Sequence, residues 1–245
     1  MPRFYVDDCS AFEDTIEITG EDVNHIKNVL RLKPGDRLTV SDNAGTDYEC
    51  AIQSISSEKV IAGIEDMKRN ASELDTRIVL FQGMPKSDKL EFIIQKAVEL
   101  GVSEIVPVMT QRTVVKLDEK KEAKRLERYN AIALAAAKQS GRGIIPVVSS
   151  FMSFSKAVEY SRSLSMNIIP YENAKGIEHS RRVIADIAGR DSLGIFIGPE
   201  GGFAESEVEL AVSAGASCIT LGNRILRTET AGLAALSIIM FNIEK

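Results

Sequence analysis

The sequence predicts an α/β protein in two parts: a β-rich unit over residues 1–72, suited to a small β-barrel, and a larger unit over 73–245 built on a parallel sheet covered by helices. Three observations carry this reading. From residue 76 onward, strand-like and helix-like segments alternate. Before residue 72, short runs alternate apolar with polar residues and are punctuated by turn signals. Charge divides at the same place: residues 1–72 carry 8 basic and 14 acidic side chains, residues 73–245 carry 22 and 21.

In the first part, 21–31 has apolar residues at 23, 26, 29 and 30 and predicts a short helix. Lys33-Pro34-Gly35-Asp36 is a turn, and strands at 37–41 and 49–52 flank a second turn, Asp42-Asn43-Ala44-Gly45. A further strand is expected at 56–65, then a polar linker at 66–75. In the second part, strands are expected at 77–82, 104–108, 144–148, 166–170, 193–197 and 217–221. Helices are expected at 88–100, where Leu90, Ile93, Ile94, Ala97 and Val98 fall on one face and Gly101 ends the run, and at 119–140, 205–214 and 229–241. The last of these is apolar almost all round and should be buried.

Of 245 residues, 44% are apolar and 27% charged, which excludes a disordered chain, a collagen-like repeat and a disulfide-stapled miniprotein. The longest apolar run, 231–243, is too short to cross a bilayer, so no membrane partner is expected. Met1-Pro2-Arg3-Phe4-Tyr5 lacks the basic-then-apolar pattern of a secretory signal. Cys9, Cys50 and Cys218 are scattered and odd in number, which fits a reducing cytoplasm rather than a disulfide framework. His25 and His179 have no second ligand at zinc spacing, so no metal is expected. A net charge of −5 argues against a generic nucleic-acid coat, yet residues 112–142 hold nine Lys/Arg against four Asp/Glu. That stretch is either a phosphate-facing surface or a solvated helix laced with ion pairs, since Asp118, Glu119, Glu122 and Glu127 are interleaved.

In parallel sheets, ligands sit outside the carboxyl ends of the strands, and two late strands end unusually. The strand at 193–197 runs into Gly198-Pro199-Glu200-Gly201-Gly202-Phe203, where the glycines permit close backbone approach around one carboxylate. A tight turn into the next helix is the competing reading. The strand at 217–221 runs into Gly222-Asn223-Arg224-Ile225-Leu226-Arg227-Thr228-Glu229-Thr230-Ala231, placing Arg227 and Glu229 just before an apolar helix. They line a site or form a structural ion pair. Neither loop is a P-loop or a dinucleotide fingerprint, and no nucleophile elbow exists. The loops therefore point to a cofactor gripped mainly by backbone groups, and do not name it.

At these loops the chain resembles the RsmE family of 16S ribosomal RNA uridine methyltransferases, of the trefoil-knotted SPOUT superfamily. Pro2-Arg3-Phe4-Tyr5 and the run from His25 through Val29-Leu30-Arg31-Leu32-Lys33-Pro34-Gly35-Asp36 are similar to that family's PUA-like RNA-binding domain. Lys86, Lys89, Lys96 with Glu99-Leu100-Gly101-Val102, and Gln139-Ser140-Gly141-Arg142 with Ile145-Pro146 are similar to its central motifs, and the two glycine-containing loops are the most specific match. The resemblance implies a SPOUT domain with a C-terminal knot at 73–245, a PUA-like barrel at 1–72, S-adenosylmethionine as cofactor, a homodimer, and 16S rRNA in the small ribosomal subunit as partner. It places cofactor contacts on Gly198, Glu200, Gly201, Leu221, Gly222, Ile225, Leu226 and Arg227, with Tyr171 and Glu172 on a third loop. RNA contact would rest on Arg3, His25, Arg31, Lys33, Lys86 and Arg142.

The product would be N3-methyluridine. Uracil N3 carries a proton at neutral pH, so the site needs a base, or cations that stabilise the imide anion developing on O2 and O4. Glu229 or Glu200 can accept the proton, and Arg227 or Arg142 can stabilise the anion; the expected pair is Arg227 and Glu229, with Glu200 as a catalytic candidate that instead shapes its loop. The target nucleotide must also be unstacked to expose its Watson–Crick edge. Two rivals remain: a SPOUT enzyme acting on transfer RNA or a ribose hydroxyl, and a non-catalytic rRNA-binding assembly factor.

Overall fold

The computed structural model describes residues 1–7, 14–86, 88–113, 119–172, 174 and 176–244, so Cys9 and Asp118 lie outside the described residues. The chain folds as two compact units, Met1–Glu73 with Ala137–Ile145, and Leu74–Ala136 with Pro146–Lys245.

The first unit contains β1 (Arg3–Tyr5), β2 (Thr15–Thr19), α1 (Glu21–Asn24), β3 (Arg37–Ser41), β4 (Thr46–Ile55) and β5 (Lys59–Arg69), in the sheet order β1-β3-β4-β5-β2. Pairing is antiparallel except between β1 and β3. The period-2 pattern explains the core: Ile16, Ile18, Leu38, Val40, Cys50, Ile52, Val60 and Ala62 all point inward. Register shifts at Glu49/Cys50 and Ile52/Ser54 bend the long β4 and curl the sheet around that core. In the turn before β4, Asp42 Oδ1 accepts the N–H groups of Ala44 and Thr46 at 2.8 and 2.9 Å, while Asn43 takes φ 56° and Gly45 φ 100°.

Two expectations in this unit are corrected. The start of the 66–75 linker is strand, because Arg69 and Lys68 pair across to Thr46 and Asp47. The helix of 21–31 becomes a π-helical turn over His25–Val29, closed by Leu30 N–H to the His25 carbonyl at 2.9 Å. The extra residue in that turn rotates the face, so Val23 and Ile26 are buried but Val29 and Leu30 are 61% and 38% exposed.

The second unit contains β6 (Arg77–Gly83), α2 (Lys89–Glu99), β7 (Glu104–Met109), α3 (Glu119–Ser140), β8 (Val147–Val148), β9 (Met152–Ser153), α4 (Phe154–Ser161), β10 (Met166–Pro170), α5 (Ile177–Ala185), β11 (Ser192–Ile197), α6 (Glu205–Ser213), β12 (Ser217–Ile219) and α7 (Thr228–Ile243), the last turn of α3 belonging to the first unit. Its sheet runs β12-β10-β11-β6-β7-β8, with β9 also beside β7, and every pairing is parallel. β11 lies inside the sheet and buries Leu193, Ile195, Phe196 and Ile197, as a strand covered on both faces must. Because β12, β10 and β11 are adjacent and parallel, the loops leaving their carboxyl ends emerge side by side.

The strand expected at 144–148 shrinks to Val147–Val148, since the Ile144 and Ile145 amides donate to the side chains of Glu73 and Asn43 instead of to a strand. The last helix is not buried all round. Gly232, Ala235, Leu236 and Ile239 face the core, whereas Ile238 and Phe241 are 43% and 85% exposed. Cys50 and Cys218 are free thiols.

Candidate active site

The loops after β10, β11 and β12 close on one cavity of about 690 Å³, the size of a site for a small-molecule ligand. Tyr171, Glu172, Gly198, Glu200, Gly201, Leu221, Gly222, Ile225, Leu226 and Arg227 all line it. Backbone geometry explains the glycines. A Cβ on Gly198 would stand 3.1 Å from Gly202 Cα, and one on Gly201 would stand 3.3 Å from Arg112 Cβ. Gly202 and Gly222 take φ 67° and 109°, the left-handed region that glycine enters without cost. The Gly202 amide closes a turn onto the Pro199 carbonyl at 2.8 Å, and the Tyr171 amide donates to the Ile219 carbonyl at 2.9 Å, tying two of the loops to the sheet end.

A buried polar chain fixes the start of α7. Gln82, fully buried on β6, donates from Nε2 to the Gly83 carbonyl and to Thr228 Oγ1, both at 2.9 Å. Thr228 in turn donates to the Gly198 carbonyl at 2.6 Å. Thr228 thus caps nothing in its own helix; it anchors the helix that carries Glu229 to the glycine loop.

Lys89 and Glu200 line the cavity, whereas Glu229, expected at the site, is not among its lining residues. Lys89 Nζ lies 3.1 Å from Glu200 Oε1 and 3.6 Å from Glu229 Oε2. The Lys86 amide donates to both Glu200 oxygens at 3.1 and 3.3 Å. Burial works to raise the Glu200 carboxyl, but the backbone N–H of its own residue, the Lys89 ammonium and the Lys86 amide together hold it below the usual carboxylate range. The hydrogen bond to Glu200 is also what raises the Lys89 ammonium above its ordinary value, so Lys89 is a cation at neutral pH. Glu229 Oε2 is buried without a hydrogen bond. Arg227 at the N-cap of α7 is exposed and, among the described residues, has no side-chain partner. Arg112, read in the sequence only as part of the basic stretch, lines the cavity and donates from Nη1 to the Gly201 carbonyl at 2.6 Å.

The expected RNA-facing residues divide. His25, Arg31, Lys33 and Lys86 are exposed. Arg3 and Arg142 are instead engaged by carboxylates. The Arg3 guanidinium is held by Asp47, its Nη2 reaching Oδ2 at 2.9 Å. Arg142 is 2% exposed and meets Glu73 with two hydrogen bonds of 2.9 and 2.7 Å. Each needed an acidic partner distant in sequence to be recognised as structural. Among the described residues, no cluster of His, Cys, Asp and Glu is arranged to hold a metal ion, and no helix is long and apolar enough to cross a membrane.

Comparison with known proteins agrees with this geometry. Residues 72–240 match the model of an RNA methyltransferase domain, and residues 18–65 that of an RNA methyltransferase PUA domain. Ribosomal RNA small subunit methyltransferase E of Bacillus subtilis is 40% identical over 94% of this chain and 91% of its own length. The protein of that name from Mesomycoplasma hyopneumoniae is 35% identical over 97% and 98%. The crystal structure of a ribosomal RNA small subunit methyltransferase E from Neisseria gonorrhoeae bound to S-adenosyl methionine superposes with a TM-score of 0.85 at 32% identity, covering 99% of this chain and 98% of that one. A cavity built by the loops after β10, β11 and β12 thus coincides with full-length similarity in sequence and fold, and the chain belongs to the ribosomal RNA small subunit methyltransferase E family.

Proposed function

We propose that this protein transfers a methyl group from S-adenosylmethionine to N3 of a uridine in 16S rRNA of the small ribosomal subunit, in the cytoplasm. The observation that carries the reading is the cavity itself, where glycine backbone and apolar side chains meet two carboxylates, Glu172 and Glu200, and four cations, Lys89, Arg112, Arg224 and Arg227. Those residues fit the cofactor. Leu221, Leu226 and Ile197 offer an apolar wall for a purine, and the carbonyls and carboxylates of the three loops suit a cationic donor. S-adenosylmethionine supplies an electrophilic methyl group when bound.

This chain's residues then prepare the nucleophile. Glu229 accepts the N3 proton, and Arg227, exposed at the cavity and without a side-chain partner among the described residues, neutralises the imide oxygens. Glu200, already engaged by Lys86 and Lys89, shapes the loop rather than moving a proton. Cofactor contacts fall on Tyr171, Glu172, Gly198, Glu200, Gly201, Leu221, Gly222, Ile225, Leu226 and Arg227. The segment 1–72 serves as the PUA-like RNA-binding domain, with His25, Arg31 and Lys33 as contacts, and Lys86 does the same within 73–245. A C-terminal trefoil knot belongs to the same reading, and the adjacent parallel strands β10, β11 and β12 support it. The uncovered Ile238 and Phe241 on α7 favour a homodimer, which would remove that apolar face from water.

Labelled methyl transfer to purified small subunits and to transfer RNA, run in parallel, tests the assignment. Transfer to the subunit RNA is expected, a preference for transfer RNA would favour another SPOUT activity, and no transfer with no cofactor binding would favour a non-catalytic assembly factor.

A further inference from the structure

Three helices of this chain end alike, and the helical turn near the N-terminus departs from them at one residue. After α2, α3 and α6 the chain passes through Gly101, Gly141 and Gly215 at φ 88°, 75° and 100°. The next amide, of Val102, Arg142 or Ala216, returns to the carbonyl of Ala97, Ala137 or Ala211 at 3.0, 3.1 and 3.0 Å. Glycine suits that position because the left-handed region admits it without a Cβ clash. The π-helical turn over His25–Val29 closes in the same manner one residue wider, the Leu32 amide reaching the Ile26 carbonyl at 3.0 Å. Here the left-handed position is filled by Arg31, at φ 55°. Among the described residues the one other side chain at such a φ is Asn43, and asparagine enters this region readily. Arg31 therefore stands where glycine would be the more stable choice.

The side chain has company that explains its presence. Residues 23–35 hold Lys27, Arg31 and Lys33 and no Asp or Glu, within a stretch, 1–72, that carries 8 basic and 14 acidic side chains. Cations on the sheet of this unit meet carboxylates: Arg3 with Asp47, Arg37 with Glu65, Lys59 with Glu17 and Lys68 with Glu49. Lys27, Arg31 and Lys33 are exposed and make no ion pair among the described residues. The carboxylates bordering them are committed, Asp22 to Lys138 Nζ at 3.0 Å and Asp36 to the Lys33 amide at 2.7 Å. Next to Arg31 in sequence, Val29 and Leu30 are 61% and 38% exposed. Unpaired cations beside uncovered aliphatic side chains complement RNA whose bases are unpaired, because such a strand offers a phosphate and a bare base face at every step. A duplex hides the base faces, and an acidic protein surface offers none. We infer that the end of the π-helical turn is a contact surface for an unpaired stretch of RNA, with Arg31 meeting a phosphate while Val29 and Leu30 lie against base faces. Stability given up at the left-handed position keeps an arginine, in place of glycine, at that edge. The choice of RNA rests on the reading of 1–72 as the RNA-binding domain.

The test measures binding of the full-length protein, at stepped salt, to an unstructured RNA oligonucleotide, to its duplex and to small ribosomal subunits. The wild type is expected to favour the single strand over the duplex. Arg31→Gly is expected to raise the melting temperature by about 2–4 °C and yet weaken single-strand binding about tenfold, with a salt slope shallower by about one. Arg31→Lys keeps most of the affinity. Val29→Ser is expected to leave the melt and the salt slope in place and to weaken single-strand binding several-fold. A lower melting temperature in Arg31→Gly would make the arginine a structural residue and overturn the inference, as would a wild type that prefers the duplex. Variants that lose subunit binding while holding free RNA as the wild type does would make the occupant a protein, which also overturns it. Wild-type binding to none of the three fails the RNA-binding reading of 1–72 itself, whereas wild-type binding that Arg31→Gly and Val29→Ser both retain overturns this contact surface alone.

Discussion

The hydroxyl of Thr228 donates to the carbonyl of Gly198 across 2.6 Å, joining the first residue of the last helix to the glycine loop after β11. Thr228 is 4% exposed and also accepts from Gln82, so one side chain sets where Arg227 and Glu229 stand relative to the cavity.

Thr228→Val keeps the shape and removes the hydroxyl, leaving the Gly198 carbonyl and Gln82 Nε2 each short of a buried partner. A loss of about 1–3 kcal/mol in unfolding free energy is expected, with a matching weakening of S-adenosylmethionine binding by calorimetry. Thr228→Ser is expected to recover most of both. An unchanged melt in the valine variant would mean that the bond does not order the helix.

Arg227→Ala is expected to abolish methyl transfer while the melting temperature stays within a degree or two of wild type. Arg227 is exposed and lacks a partner among the described residues, so the fold loses nothing that is buried. Wild-type turnover in the variant removes Arg227 from the mechanism.

Local signals were the legible ones. The glycine loop and Arg227 could be placed at one cavity because they lie within a few residues of a strand end, and all ten cofactor candidates line it, whereas Glu229 does not. Lys89 and Arg112 reach that cavity from the start of α2 and from the segment after β7, and no local pattern announces such a meeting. Arg3 and Arg142 looked like phosphate ligands for the converse reason. Asp47 and Glu73, which neutralise them, lie 44 and 69 residues away. The apolar α7 was read as buried because composition reports how much of a helix avoids water, not which molecule covers it.

Arg142 and the lysines of α3 separate structural from RNA-facing charge. Arg142→Met leaves the Glu73 carboxylate, 12% exposed, with only the Gly143 and Ile144 amides, so a loss of about 1–3 kcal/mol is expected, read by denaturant unfolding. Reversal of the exposed Lys120, Lys121 and Lys124 to Glu is expected to leave stability nearly unchanged, weaken RNA binding and flatten its salt dependence. Equal RNA affinity in the triple variant would make that stretch a solvated helix only.

Tyr5 provides a pH signature for the first unit. Burial, with help from Glu73 and against the opposing Arg3 and Arg142 charges, pushes its phenol up to about 12, and its hydroxyl donates to the Arg142 carbonyl at 2.6 Å. An unfolded tyrosine titrates near about 10, so the folded state prefers the protonated phenol. Its contribution is full below about pH 10 and drains away as pH rises towards about 12. Tyr5→Phe is expected to be less stable at neutral pH and to show a shallower fall over that alkaline window, measured by unfolding at stepped pH. An identical slope in both proteins would place the titration elsewhere.

Mass spectrometry of nucleosides from small subunits treated with the protein and isotope-labelled S-adenosylmethionine addresses the chemistry most directly. The label is expected on N3-methyluridine from 16S rRNA, and to vanish with Glu229→Gln. Label on a ribose hydroxyl, on a carbon atom of the base, or on a nucleoside other than uridine would contradict a site built to take the proton from N3.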